Sequence, residues 1–117
     1  MDMWKEVYDK LKENSLNPYP PGIHAGECTQ NYCVVLDGTQ MASVETNKLG
    51  QRMVEIIAFV PAGNYIGLEA YSKEIKAVLK GVPGLRNTGF ETPPIPENEK
   101  KAFSKSIEYT VLKKLEG

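Results

Sequence analysis

The stretch KAFSKSIEYTVLKKL, residues 101–115, decides the fold. Phe103, Ile107, Tyr109 and Val111 occupy alternate positions, with Lys105 alone breaking the row, and Ser104, Ser106, Glu108 and Thr110 fill the places between. A period of two in aromatic and β-branched residues marks a half-buried strand. A strand this late in a chain is ordered only when it is tied into a sheet, so its partners must lie upstream. Two runs qualify: residues 32–36 (YCVVL), nearly all apolar, and residues 51–60 (QRMVEIIAFV), the strongest strand pattern in the chain. In the second run Val54, Ile56 and Ala58 face one way, and Met53, Ile57 and Phe59 the other, with Glu55 interrupting. A buried, unpaired carboxylate is costly. Glu55 is therefore expected to face solvent or to meet a partner charge at an interface.

Two helices complete the pattern. Residues 2–14 place Trp4, Val7, Tyr8 and Leu11 at i, i+3, i+4 and i+7, one apolar stripe, with Asp2 as a candidate N-cap. Residues 65–80 carry a second stripe of Leu68, Tyr71, Ile75, Val78 and Leu79, with Asn64 as candidate cap and Gly81 and Pro83 to end the helix. Residues 15–27 hold Pro18, Pro20 and Pro21, which remove donors and disfavour helix before them, and so read as a stiff connection without a regular element. Residues 85–91 (LRNTGFE) suggest a short strand, and residues 39–50 and 92–101 are long polar excursions. The order helix, strand, strand, helix, short strand, strand predicts a single α+β domain over residues 1–117. We expect a two-layer sandwich of about four antiparallel strands with both helices on one face.

Composition narrows the function classes. Of 117 residues, 41% are hydrophobic and 25% charged, ordinary globular values that argue against disorder over the whole length. A net charge of −1 gives no bulk attraction to nucleic acid or anionic membrane. No apolar run approaches the ~20 residues that span a bilayer, and the acid-bearing amphipathic start does not read as a signal peptide. The expectation is a cytosolic protein, with no membrane partner and no sequence-specific nucleic-acid partner.

No constellation for chemistry stands out. Cys28 and Cys33 form a lone C-x4-C pair, short of the four ligands of a structural zinc site, and adding His24 produces no recurrent metal spacing. They read as small hydrophobic side chains that stay reduced. His24 is the single histidine and has no nucleophile context, and the scattered glycines match no phosphate-binding loop. Lys100, Lys101, Lys105, Lys113 and Lys114 are interleaved with Glu97, Glu99, Glu108 and Glu116, a pattern of edge protection rather than a nucleic-acid footprint. The sequence therefore points to a protein that is not an enzyme, with no catalytic residue, no cofactor and no metal.

Nearly the whole chain resembles the tail terminator (tail completion) proteins of tailed bacteriophages and phage-tail-like particles. The likeness lies in an opening amphipathic helix (WKEVYDKL), a proline-rich link, a buried strand (YCVVL), a polar excursion and a long strand (QRMVEIIAFV). A second helix (LEAYSKEIKAVL), a weak strand (LRNTGFE) and an acidic, proline-bearing loop (PPIPENEKKAF) then lead to a final alternating strand (SIEYTVLKK). The resemblance implies a structural virion protein of the tail, assembled in the cytoplasm of the bacterial host. Such a protein forms a homohexameric ring on the tail-tube protein, stops tube polymerisation and presents a surface to the head–tail connector or the sheath.

An assembly role assigns the isolated apolar residues of the polar excursions, Met41, Val44, Leu49 and Ile95, together with Glu55, as the interface. Both excursions are expected to be mobile in a monomer and ordered in a ring. Two other classes compete: a head–tail connector or other tail-assembly component, and a small-molecule-binding α+β domain with a pocket between sheet and helices.

Overall fold

The computed structural model describes residues 3–24, 26–38 and 52–111. Helix α1 (Met3–Glu13) leads to β1 (Pro18–Tyr19), β2 (Tyr32–Gly38) and β3 (Arg52–Pro61). Helix α2 (Gly67–Leu79), β4 (Leu85–Glu91), β5 (Ile95–Glu97) and β6 (Ala102–Val111) follow. The class is α+β, as the alternation and the two helical stripes predict. Among the described residues the sheet has six strands rather than about four, in the order β1-β2-β3-β6-β4 with β5 also on β6. It is mixed: β1 runs parallel to β2, and every other pair is antiparallel.

The two additional strands sit where the sequence reads as connection. β1 is a two-residue piece of the proline-rich link; its Pro18 lies beside Cys33 and its Tyr19 beside Val34. β5 lies inside the second polar excursion, with Ile95 opposite Ser104 and Glu97 opposite Ala102. β5 and β4 share one edge of β6, β5 at its start and β4 at its end. Between them β4 loses register after Asn87, where Gly89 takes φ +89° and Asn87 Oδ1 accepts from the Gly89 N–H at 2.7 Å. Such a bulge bends an edge strand and hinders further pairing there.

The helices pack on one face of the sheet. Register places Val54 opposite Tyr109, Ile56 opposite Ile107 and Val60 opposite Phe103. Together with Cys33 and Val35, the buried members of these rows meet Val7 and Leu11 of α1 and Leu68, Tyr71, Ile75 and Leu79 of α2. Trp4, Tyr8 and Val78 border the same core, so the two predicted stripes converge as expected. Trp4 Nε1 donates to the Val35 carbonyl at 2.7 Å, which covers part of the β2 edge. Tyr71 Oη donates to the Leu16 carbonyl at 2.5 Å and pins the turn after α1 to α2.

One local expectation changes, and another, Asp2 as the cap of α1, lies outside the described residues. α2 starts after a 3-10 turn at Ala62–Asn64, and no side chain caps it, so Asn64 is not its N-cap. Lys105, which breaks the alternation of β6, points into the helix-covered side as the row demands. Its ammonium lies 3.2 Å from Glu91 and 3.6 Å from Glu69, and Lys76 meets Glu91 at 2.5 Å. A charge in this row is tolerated because it is paired where the α2 layer meets the sheet margin.

Candidate functional site

Among the described residues, no helix covers the other face of the sheet. By register it presents Tyr32, Val34 and Leu36 from β2, Met53, Glu55, Ile57 and Phe59 from β3, and Ser104, Ser106, Glu108 and Thr110 from β6. At one end the proline-rich loop folds over the strands, and Cys28, Tyr32, Phe59 and Ala102 form a second, smaller core. Val34 and Ile57 border this core, and with Leu36 and Met53 they remain partly exposed. Glu55 stands among them, directly opposite Glu108 on one side and Leu36 on the other. Like charges facing each other across two strands destabilise a sheet. Neither carboxylate forms an ion pair among the described residues; Thr88 Oγ1 donates to Glu108 Oε1 at 3.4 Å.

The small core is aromatic. His24 stacks on Tyr32 with ring centroids 3.8 Å apart, and Tyr32 stacks on Phe59 at 4.7 Å. Tyr19 meets His24 and Tyr32 edge-on at 5.0 and 5.5 Å, and the Lys100 ammonium sits 5.8 Å from the Phe59 ring centroid. Burial, with Lys100 nearby, holds the His24 imidazole below its ordinary value and so favours the neutral ring. Burial pushes the Tyr32 hydroxyl up to about 12. The backbone secures the loop as well, since the Cys28 N–H donates to the Lys100 carbonyl at 2.8 Å.

The residues singled out in the sequence are partly brought together. Glu55 and Ile95 share the helix-free face. Ile95, 40% exposed, pairs with Ser104, four positions along β6 from the Glu108 that faces Glu55. Met41, Val44 and Leu49 lie outside the described residues. Sequence reasoning missed Glu108 as the counterpart of Glu55, because the pairing register is not written in either strand alone. It also missed the His24–Tyr32–Phe59 stack, whose members come from a loop and two strands.

The two cysteines belong to different cores on opposite sides of the sheet, Cys33 under the helices and Cys28 beneath the loop. Burial raises both thiols, Cys33 to about 11. Among the described residues no group of three or more His, Cys, Asp or Glu is placed to hold a metal ion. No described helix is long and apolar enough to cross a membrane. A cleft of about 500 Å³ opens at the end of the helix layer, lined by Asn17, Gln30, Asn31, Asn64 and Glu74 above the buried Tyr71. Ser15 and Asn17, on its wall, adopt left-handed backbone conformations with φ of 60°. This cleft lies between the α1–β1 turn, the loop before β2 and α2, not between sheet and helices. A scan against protein-family models and a search of curated proteins found no match for the chain.

Proposed function

We propose that the protein is a structural subunit of a bacteriophage tail or phage-tail-like particle. It forms a hexameric ring of like copies that caps the tail tube, stops its polymerisation and faces the head-side connector or the sheath. It acts in the virion tail and assembles in the cytoplasm of the bacterial host. The observation that carries this reading is the unequal use of the sheet. Helices cover one face, whereas the other retains partly exposed apolar side chains around a facing pair of carboxylates. A domain with a complete core on one side and, on the other, a partly exposed apolar surface around two facing carboxylates is suited to assembly. The order of elements supports the same reading through its resemblance to tail terminators.

The test is to add the purified protein to polymerising tail tubes and image the tube ends. The expected result is a ring of density at one end and a narrowed distribution of lengths. Tubes that grow to uncontrolled lengths with bare ends would refute it.

A second reading, a small-molecule-binding domain, has the cleft near Asn17 and Glu74 in its favour. A binding module of that kind stays monomeric or dimeric, so solution mass separates the two.

A further inference from the structure

The outward side of α2 matches the helix-free face of the sheet in chemistry. Ile66, Ala70, Lys73, Ala77 and Lys80 are all exposed and recur at i, i+4, i+7, i+11 and i+14, one stripe along the helix. Ile66 is 86% exposed, the most exposed large hydrophobic among the described residues. The stripe contains no acid. The carboxylates of α2 lie to either side, Glu69 toward Lys105 at 3.6 Å and Glu74 on the wall of the cleft. Lys76 is held by Glu91. Lys73 and Lys80 form no ion pair among the described residues.

The two alanines leave the middle of this stripe low, so another surface can approach the helix backbone closely. On the helix-free face the features are reversed in sign. Val34, Leu36, Met53 and Ile57 supply apolar area, and Glu55 and Glu108 face each other with no ion pair to either among the described residues; Arg86, opposite Thr110, lies on the same face. The seven residue steps from Lys73 to Lys80 span about 10 Å of helix, and facing strand residues stand about 5 Å apart. Flexible lysine stems can close that difference.

We infer that the helix-free sheet face of one copy docks on the outer α2 stripe of the next. Glu55 and Glu108 then lie between Lys73 and Lys80, and Ile66 and the alanines rest against the apolar strand residues. The inference rests on the assembly reading and names the two surfaces that meet. The contact is heterologous: each copy offers its sheet to one neighbour and its helix to the other. Such contacts close into rings when the rotation between neighbours allows it. The facing carboxylates, unfavourable within one copy, become the specificity element between two.

The test is a charge exchange, read by sedimentation over a range of protein and salt concentrations. One variant carries Glu55→Lys and Glu108→Lys, another Lys73→Glu and Lys80→Glu. A third, with Glu55→Gln and Glu108→Gln, removes charge without reversing it. Circular dichroism identifies the variants that are folded. The wild type is expected to self-associate, more weakly as salt rises. Each reversed variant alone should associate roughly tenfold more weakly or worse, the scale of like charges placed together at an interface. An equimolar mixture of the two reversed variants should regain association, since every contact is then complementary again. The Gln variant should associate weakly with little dependence on salt.

A wild type that stays monomeric, reversed variants that associate like the wild type, or a mixture that regains nothing would each overturn the inference. The ring reading is judged separately at tube ends. Rings formed there by both reversed variants would leave that reading standing and remove this contact.

Discussion

Ile56 and Ile57 are neighbours on β3, and they belong to different halves of the molecule. Ile56 is fully buried beneath α1 and α2 with Val35, Ile107 and Ile75, whereas Ile57 borders the small aromatic core on the helix-free face and keeps partial exposure. The two faces share every backbone hydrogen bond of the sheet and differ only in side chains and cover. One face is closed by two amphipathic helices and a paired charge cluster. The other has an aromatic stack at one end and, at the other, apolar residues around carboxylates that face each other. Stability is thus concentrated on one side of the sheet, which leaves the composition of the other side to be set by what it meets.

The largest expected effect breaks the covered face. Ile75→Ala should lower the unfolding free energy by about 2–5 kcal/mol, the usual range for emptying a fully buried aliphatic site. Chemical denaturation measures it, and a loss below about 0.5 kcal/mol, the level of a surface change, would place α2 outside the core.

Next is the charge cluster at the margin of that face. Lys105→Met removes the cation between Glu91 and Glu69 and should cost about 1–3 kcal/mol, since a partly buried carboxylate loses a partner. Burial pushes the Glu91 carboxyl up, but its hydrogen bonds to the Lys76 and Lys105 ammonium groups outweigh that and hold it below its ordinary value of 4.5. A carboxylate depressed in the folded state adds stability that is present above its unfolded pKa and is lost as pH falls through the folded one. Lys105→Met should therefore flatten the acid limb of the stability profile below pH 4.5. An unchanged limb would show that the cluster is not coupled to folding.

On the other face the corresponding effect is smaller and lies at milder pH. The folded structure holds His24 below its ordinary value of 6.5, so the unfolded chain binds a proton first as pH falls through that value. Stability from the stack is full above that value and declines below it. His24→Phe keeps a ring against Tyr32 and should remove the part of the pH dependence between 5 and 7 that is due to His24. Melting curves at several pH values compare the two proteins, and identical slopes would exclude His24 as the titrating group.

The covered face was legible in the sequence because it follows two simple periods. Alternation in β3 and β6 and the 3.6-residue stripes of α1 and α2 point the same residues inward, and even Lys105 obeys its row. The helix-free face was harder to read. β5 is hidden because Pro94 and Pro96 flank Ile95 and argue against a strand, although a short edge pairing tolerates proline. β1 is hidden for the same reason, between Pro18 and Pro20. Glu55 stood out as a carboxylate in an apolar run, but its significance depends on Glu108, and only the register brings the two together. The aromatic stack depends on the path of an irregular loop, which no periodicity encodes.

The central claim is that the helix-free face serves association rather than folding. Ile57→Lys tests it most directly, with melting temperature and sedimentation measured on the same sample. A long lysine stem can keep its charge in water at a partly exposed site. The account predicts a protein that folds and melts close to the wild type but no longer self-associates. A variant that fails to fold, or that folds and associates as the wild type does, would contradict it.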